Sequence, residues 1–86
     1  MKEAERLLKA LANRRRLAIV KHLKTRREAS VGEIADAIKL SLKATSKHLA
    51  ILYATDIVER EQRSLLMYYH LSDKLPRIIG SVLANL

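Results

Sequence analysis

Residues 30–54 read SVGEIADAIKLSLKATSKHLAILYA, and this stretch decides the fold. It opens on Ser30-Val31-Gly32-Glu33. A serine followed three residues later by a glutamate is the pattern in which hydroxyl and carboxylate reciprocally satisfy the free N–H groups of a helix start. The spacing predicts a helix over 31–38, with Ile34, Ala35 and Ile38 facing inward. Lys39 and Leu40 leave room only for a tight turn before Ser41, a second N-cap residue. Another helix is expected over 42–54. Its inner side carries Thr45, Leu49 and Leu52, while Lys43, Ser46, Lys47 and Ala50 fall at i, i+3, i+4 and i+7 on the other face. Two short helices joined in this way form a helix-turn-helix unit.

Before this unit, Leu7, Leu8 and Leu11 mark a first helix over 2–12. Asn13 is the N-cap of a second, from Arg14 to Leu23, whose apolar face is Leu17, Ile19, Val20 and Leu23. The polar stretch Thr25–Ala29 is expected to be a loop. After Thr55-Asp56 the period shortens towards two, and strands are expected over 57–63 and 66–71. Ser64-Leu65 closes the hairpin without the Gly or Asn that tight turns prefer. Ser72 caps a last helix over 73–86, with Pro76 in its first turn, where a missing N–H costs little. The expected fold is therefore mainly α with a small β-hairpin. It is a winged helix-turn-helix in the order α1-α2-α3-α4-hairpin-α5, forming one domain over 1–86.

The chain has 86 residues and no cysteine. A disulfide staple and a thiolate metal site are excluded, and a chain this short buries only a modest fraction of its surface. Association with a second copy is the natural further source of stability. No apolar run reaches membrane-spanning length, and MKEAERLLKA mixes acids into its apolar residues, so a cytoplasmic location is expected. The formal net charge is +8, which favours a polyanionic partner. Residues 1–40 carry eleven basic and five acidic side chains, and residues 41–86 carry six and four.

Five segments in register carry a family resemblance. Leu8-Lys9-Ala10-Leu11-Ala12-Asn13-Arg14-Arg15-Arg16-Leu17 resembles the opening of the ArsR family of bacterial and archaeal repressors. Ser30-Val31-Gly32-Glu33-Ile34-Ala35 resembles its third-helix start, and Ser46-Lys47-His48-Leu49-Ala50-Ile51-Leu52 its recognition helix. Ile57-Val58-Glu59-Arg60 and Tyr68-Tyr69-His70-Leu71 are similar to its two wing strands. The family usually has Gly where Asp56 and Ser64 stand, and a basic residue in place of Leu65. Metal-sensing members carry a Cys-x-Cys pair near the third helix or a His and carboxylate set on the last. This chain has no Cys, and its last helix no His. The resemblance implies a DNA-binding repressor fold without the usual metal trigger and dimerising through its first and last helices.

The candidate DNA-binding residues follow. Lys43, Ser46 and Lys47 have side chains that meet guanine acceptors or phosphates. His48, at the border of that face, either reaches a phosphate or packs half-buried. Ser41 either offers a helix N-terminus to phosphate or acts only as a cap. In the wing, Arg60, Gln62, Arg63 and Ser64 are candidates for backbone or minor-groove contact, with Arg63 nearest the tip. The alternative there is a solvated hairpin in which Glu59 and Glu61 pair with neighbouring Arg. The resemblance implies a partly internal Arg16; Arg14 and Arg15 are expected to be exposed, and Arg26 and Arg27 could reach flanking phosphate. The candidate dimer interface is Leu7, Leu8, Leu75, Ile78, Ile79, Val82 and Leu86, an apolar set large for one small domain.

Catalysis finds little support: the chain has no Gly-rich phosphate loop, no cysteine nucleophile and no HExxH helix. No cofactor or metal is expected. His70 and Asp73 read as strand-end polar residues, and His22 as a solvated helix residue. The expected partners are double-stranded DNA bearing a palindromic site and a second copy of the chain. A protein-interaction winged helix and an RNA-binding one remain open alternatives.

Overall fold

The computed structural model describes residues 2–75. The order is α1 (Lys2–Leu11), α2 (Arg14–Arg26), β1 (Glu28–Ser30), α3 (Val31–Ile38), α4 (Leu42–Ala54), β2 (Val58–Arg63) and β3 (Leu66–Leu71). The helix-turn-helix and the wing lie where the sequence puts them. Asp73 and Lys74 form a turn, and Leu75 packs half-buried on the core. The rest of the helix expected over 73–86, with Ile78, Ile79, Val82 and Leu86, lies outside the described residues.

Each helix start is built as its residues require. The Asn13 side chain accepts from the backbone N–H groups of Arg15 and Arg16. Ser30 and Glu33 form the full capping box, the Ser30 N–H donating to Glu33 Oε1 at 2.8 Å. That bond, and the one from the Ser30 hydroxyl, hold the Glu33 carboxyl below its ordinary pKa. The Ser41 hydroxyl oxygen accepts from the Ala44 N–H.

The ends are less ordinary, because four non-glycine residues adopt positive φ: Arg27, Lys39, Asp56 and Ser64. At Lys39 (φ 57°) and Asp56 (φ 60°) the chain leaves a helix through the left-handed region. The following N–H then reaches back, Leu40 to the Ala35 carbonyl at 3.0 Å and Ile57 to the Leu52 carbonyl at 3.0 Å. This is the closure that glycine usually serves. Ser64 turns the hairpin at φ 57°.

The expected loop over 25–29 is a correction. α2 continues to Arg26, Arg27 breaks it at φ 69°, and Glu28–Ser30 form a third strand. The sheet order is β1-β3-β2, antiparallel throughout, with Ala29 opposite Tyr69 and Arg60 opposite Tyr69 on its other side. The strand is three residues long, two of them polar, and its partner lies about forty positions away, so no local period announces it.

One core joins the elements. Ile19, Val20 and Leu23 of α2, Ile34 of α3, Leu49 and Leu52 of α4, and Ile57 and Val58 entering β2 are all essentially inaccessible. Burying each such side chain contributes about 1.5–3 kcal/mol. α1 adds Leu7, Ala10 and Leu11. Leu7 is thereby removed from the outward set proposed for a dimer: at 3% exposure it belongs to the chain's own core, while Leu8 at 42% points away. Among the described residues no helix is long and apolar enough to cross a membrane.

Within this core the Thr45 hydroxyl is fully buried and has no hydrogen-bond partner among the described residues. An unsatisfied buried hydroxyl costs about 1–3 kcal/mol. Thr45→Val keeps the shape and removes the polar atom, so it is expected to raise unfolding stability by about 1 kcal/mol. Urea denaturation measures this, and a loss of stability would show that the hydroxyl is satisfied in solution.

Candidate nucleic-acid interface

The surface that could meet a polyanion is built on α4. Its inner residues Thr45, Leu49 and Leu52 are fully buried, which fixes the rotation of the helix about its axis. The opposite face must then project, and Lys43, Ser46, Lys47 and Ala50 are all exposed. Neither α4 nor α2 contains an acidic residue. The exposed row on α4 therefore carries positive charge with no carboxylate of its own helix to neutralise it. Leu42, at 58% exposure, stands at the entry to the same helix. The Ser41 hydroxyl is taken up by its capping bond.

The flank of α4 rests on the start of α2 through cationic groups. Arg16 is half-buried: its Nε donates to the Ala10 carbonyl, and its Nη1 lies 3.2 Å from His48 Nδ1. Arg15, expected to be exposed, is also half-buried, with Nη1 donating to the Ile38 carbonyl at 3.4 Å, and only Arg14 of the three is exposed. His48 is thus a half-buried border residue. Burial, with Arg16 and Arg15 adding like charge, holds its pKa below the ordinary imidazole value. His22 is likewise half-buried, not fully solvated as expected.

The wing departs most from expectation. Arg63 does not extend from the tip as a free cation. Its guanidinium folds back onto β1, making two bonds to Glu28 at 2.7 and 2.8 Å and another to Glu61 at 2.7 Å, and sits 4.9 Å from the centre of the Tyr68 ring. Arg60 lies 3.9 Å over the Tyr53 ring of α4. Gln62 donates to the Ser64 carbonyl at 3.4 Å, and Ser64 forms the turn itself. The tip beyond is apolar, with Leu65 94% exposed. The Glu61–Arg63 pairing was the alternative that the sequence left open; the Glu28 bond was not legible there. Glu59 pairs with His70 at 3.1 Å, so that histidine is a strand-end partner. Among the described residues no group of three or more His, Cys, Asp and Glu is placed to hold a metal ion.

A family model described as a helix-turn-helix domain matches residues 11–61. The chain is 42% identical over 66 residues to the transcriptional activator HlyU of Vibrio cholerae, covering 77% of this chain and 60% of that protein. It is 36% identical over 76 residues to the nodulation protein NolR of Rhizobium meliloti, covering 87% of this chain and 62% of that one. The chain therefore spans about three fifths of the length of these curated relatives. Among solved structures, reduced HlyU from Vibrio cholerae superposes with a TM-score of 0.85 at 35% identity, over 99% of this chain and 85% of that one. The homodimeric winged helix-turn-helix DNA-binding domain Mb0332 from Mycobacterium bovis, described as a possible ArsR-family transcriptional regulator, gives a TM-score of 0.83 at 30% identity, over 98% and 74%.

The wing clasp has a measurable signature. Hydrogen bonds from Arg63 hold the Glu28 carboxyl below its ordinary value of 4.5. A depressed carboxylate pKa contributes stability that is present above the unfolded value and is lost as pH falls through the folded one. In a carboxyl NMR titration Glu28 is expected to titrate below 4.5, and Arg63→Met to return it towards that value. An unchanged titration in the variant would show that the clasp does not persist in solution.

Proposed function

We propose that this chain, which belongs to the ArsR family of winged helix-turn-helix regulators, binds double-stranded DNA as a homodimer and regulates transcription. Repression is the simplest mode, since occupying a duplex excludes other proteins from it. The observation that carries the reading is the split surface of α4. Its leucines and Thr45 are locked into the body, and Lys43, Ser46 and Lys47 project on the far side with no acidic neighbour on the helix. A helix so mounted enters a major groove, where lysine meets guanine O6 and N7 or phosphate oxygens, and serine meets either.

The second copy is supported by α1. Ala4, Leu8 and Ala12 form a shallow apolar strip along it, edged by Lys2, Glu5 and Lys9. Leu8 is the residue of this strip that a partner would cover, together with apolar residues of the segment 76–86. A two-fold pair of recognition helices reads half-sites about 34 Å apart, which calls for a palindromic site. In the wing, Arg60, Gln62 and Ser64 are the residues left to approach the backbone, because Arg63 is held by two carboxylates. No cofactor and no catalytic step enter this mechanism, and the chain acts in the compartment that holds its DNA, the cytoplasm.

The test is a gel shift with duplex DNA across a salt series, followed by selection of bound sites from a random library. Binding should weaken steeply with salt and the selected sites should share a palindrome. Lys47→Ala should flatten the salt slope by about 0.9 per subunit where it meets phosphate. No shift at low salt would overturn the DNA reading in favour of a protein-interaction module, and stronger binding to structured RNA in competition would favour the RNA alternative.

A further inference from the structure

Arg16 and His48 make a contact whose chemistry has only one solution. A guanidinium has five N–H donors and no acceptor. With Arg16 Nη1 at 3.2 Å from His48 Nδ1, that ring nitrogen must accept. It therefore carries a lone pair, and the ring's proton sits on Nε2 in a neutral imidazole. Arg16 cannot swing away freely, since its Nε is tied to the Ala10 carbonyl at the end of α1. Arg15, on the same helix, is the other charged group that faces the ring, and both disfavour a second proton.

The Nε2–H is the free end of this chain. Among the described residues His48 makes no other hydrogen bond, and the one buried polar side-chain atom without a partner is Thr45 Oγ1. His48 is half-buried, so part of its side chain reaches solvent. The residue lies on the flank of α4, next in sequence to Lys47 and one turn beyond Ala44. In a helix laid in a major groove, a flank is the edge that passes the sugar-phosphate backbone.

We propose that Arg16 is a positioning residue that fixes His48 in its Nε2–H form, and that His48 donates this neutral hydrogen bond to a DNA backbone phosphate beside the recognition helix. The inference rests on the DNA-binding reading and goes beyond it by assigning a protonation state and an orienting partner. It also separates His48 from the lysines: a neutral donor positions the helix without displacing a counterion, so it adds affinity and no salt dependence.

The experiment has two arms, both on the full chain. In the first, the imidazole 15N resonances of His48 are recorded in the free protein at neutral pH. The Nε2–H form is expected, and Arg16→Met should mix the two tautomers. Should that variant misfold, the wild-type spectrum alone decides, and a dominant Nδ1–H form overturns the proposal. In the second, binding to a random-sequence duplex is measured across a salt series. His48→Ala should weaken binding about tenfold with an unchanged salt slope, as loss of one hydrogen bond to a charged acceptor implies. His48→Gln, which retains an N–H near the Nε2 position, should restore most of the loss. A slope that falls by about 0.9 per subunit in His48→Ala would mean that His48 binds as a cation and overturns the neutral donor. Equal affinity in His48→Ala overturns the phosphate contact while leaving the DNA reading intact. A wild-type chain that binds no duplex at all overturns both.

Discussion

The anchoring of α4 by its buried face is the constraint on which the rest depends. Leu49 and Leu52 are wholly inaccessible in a core contributed to by every described element. A helix held by one face cannot rotate without dragging aliphatic groups into water, at roughly 1.5–3 kcal/mol each. That cost converts a sequence period into a direction in space for Lys43, Ser46 and Lys47. Thr45 qualifies the picture, because it holds an unpaired hydroxyl in the same face. The tight turn before α4 fixes the other coordinate, the angle at which the helix leaves the body. There the turn depends on Lys39 in a left-handed conformation and on the capping bond that the Ser41 side chain accepts from the Ala44 N–H.

The parts legible in the sequence are those with a local cause. Ser30 and Glu33 lie three positions apart and form the box their spacing suggests. Thr45, Leu49 and Leu52 share a helical face and are buried together. Asp56 and Ser64 were marked by the family resemblance as departures from glycine, and both hold positive φ. The fold keeps the turn geometry and tolerates a side chain there, at a cost of about 1–2 kcal/mol for most residues and less for Asp. What stayed hidden depends on partners distant in the chain. β1 exists because Glu28, Ala29 and Ser30 find His70, Tyr69 and Tyr68. Arg63 is drawn back because the same pairing brings Glu28 to its side. Arg16 meets His48 across 32 positions. Leu7 and Leu8 are adjacent, and only the packing of α1 decides which goes inward.

Charge completes the argument, because the formal +8 is not evenly spread over the surface. α2 and α4 have no carboxylates, whereas α1, β1, α3 and the wing have several. Glu28, Glu59 and Glu61 give the wing region acidic groups, two of them engaged with Arg63 and one with His70. A wing of this composition offers less attraction to a polyanion than the α4 face does. Three consecutive arginines at the start of α2 are unfavourable against the positive end of that helix's dipole. Two of them are held in place by carbonyls of other elements, Ala10 and Ile38. Through the Arg16–His48 contact, one of these arginines connects the end of α1 to the edge of α4. A shift of α1, the helix that carries Leu8 on its outer side, would therefore act on the orientation of the His48 ring. The surface proposed for a second copy on α1 and the edge of α4 proposed to face DNA are therefore joined through one guanidinium.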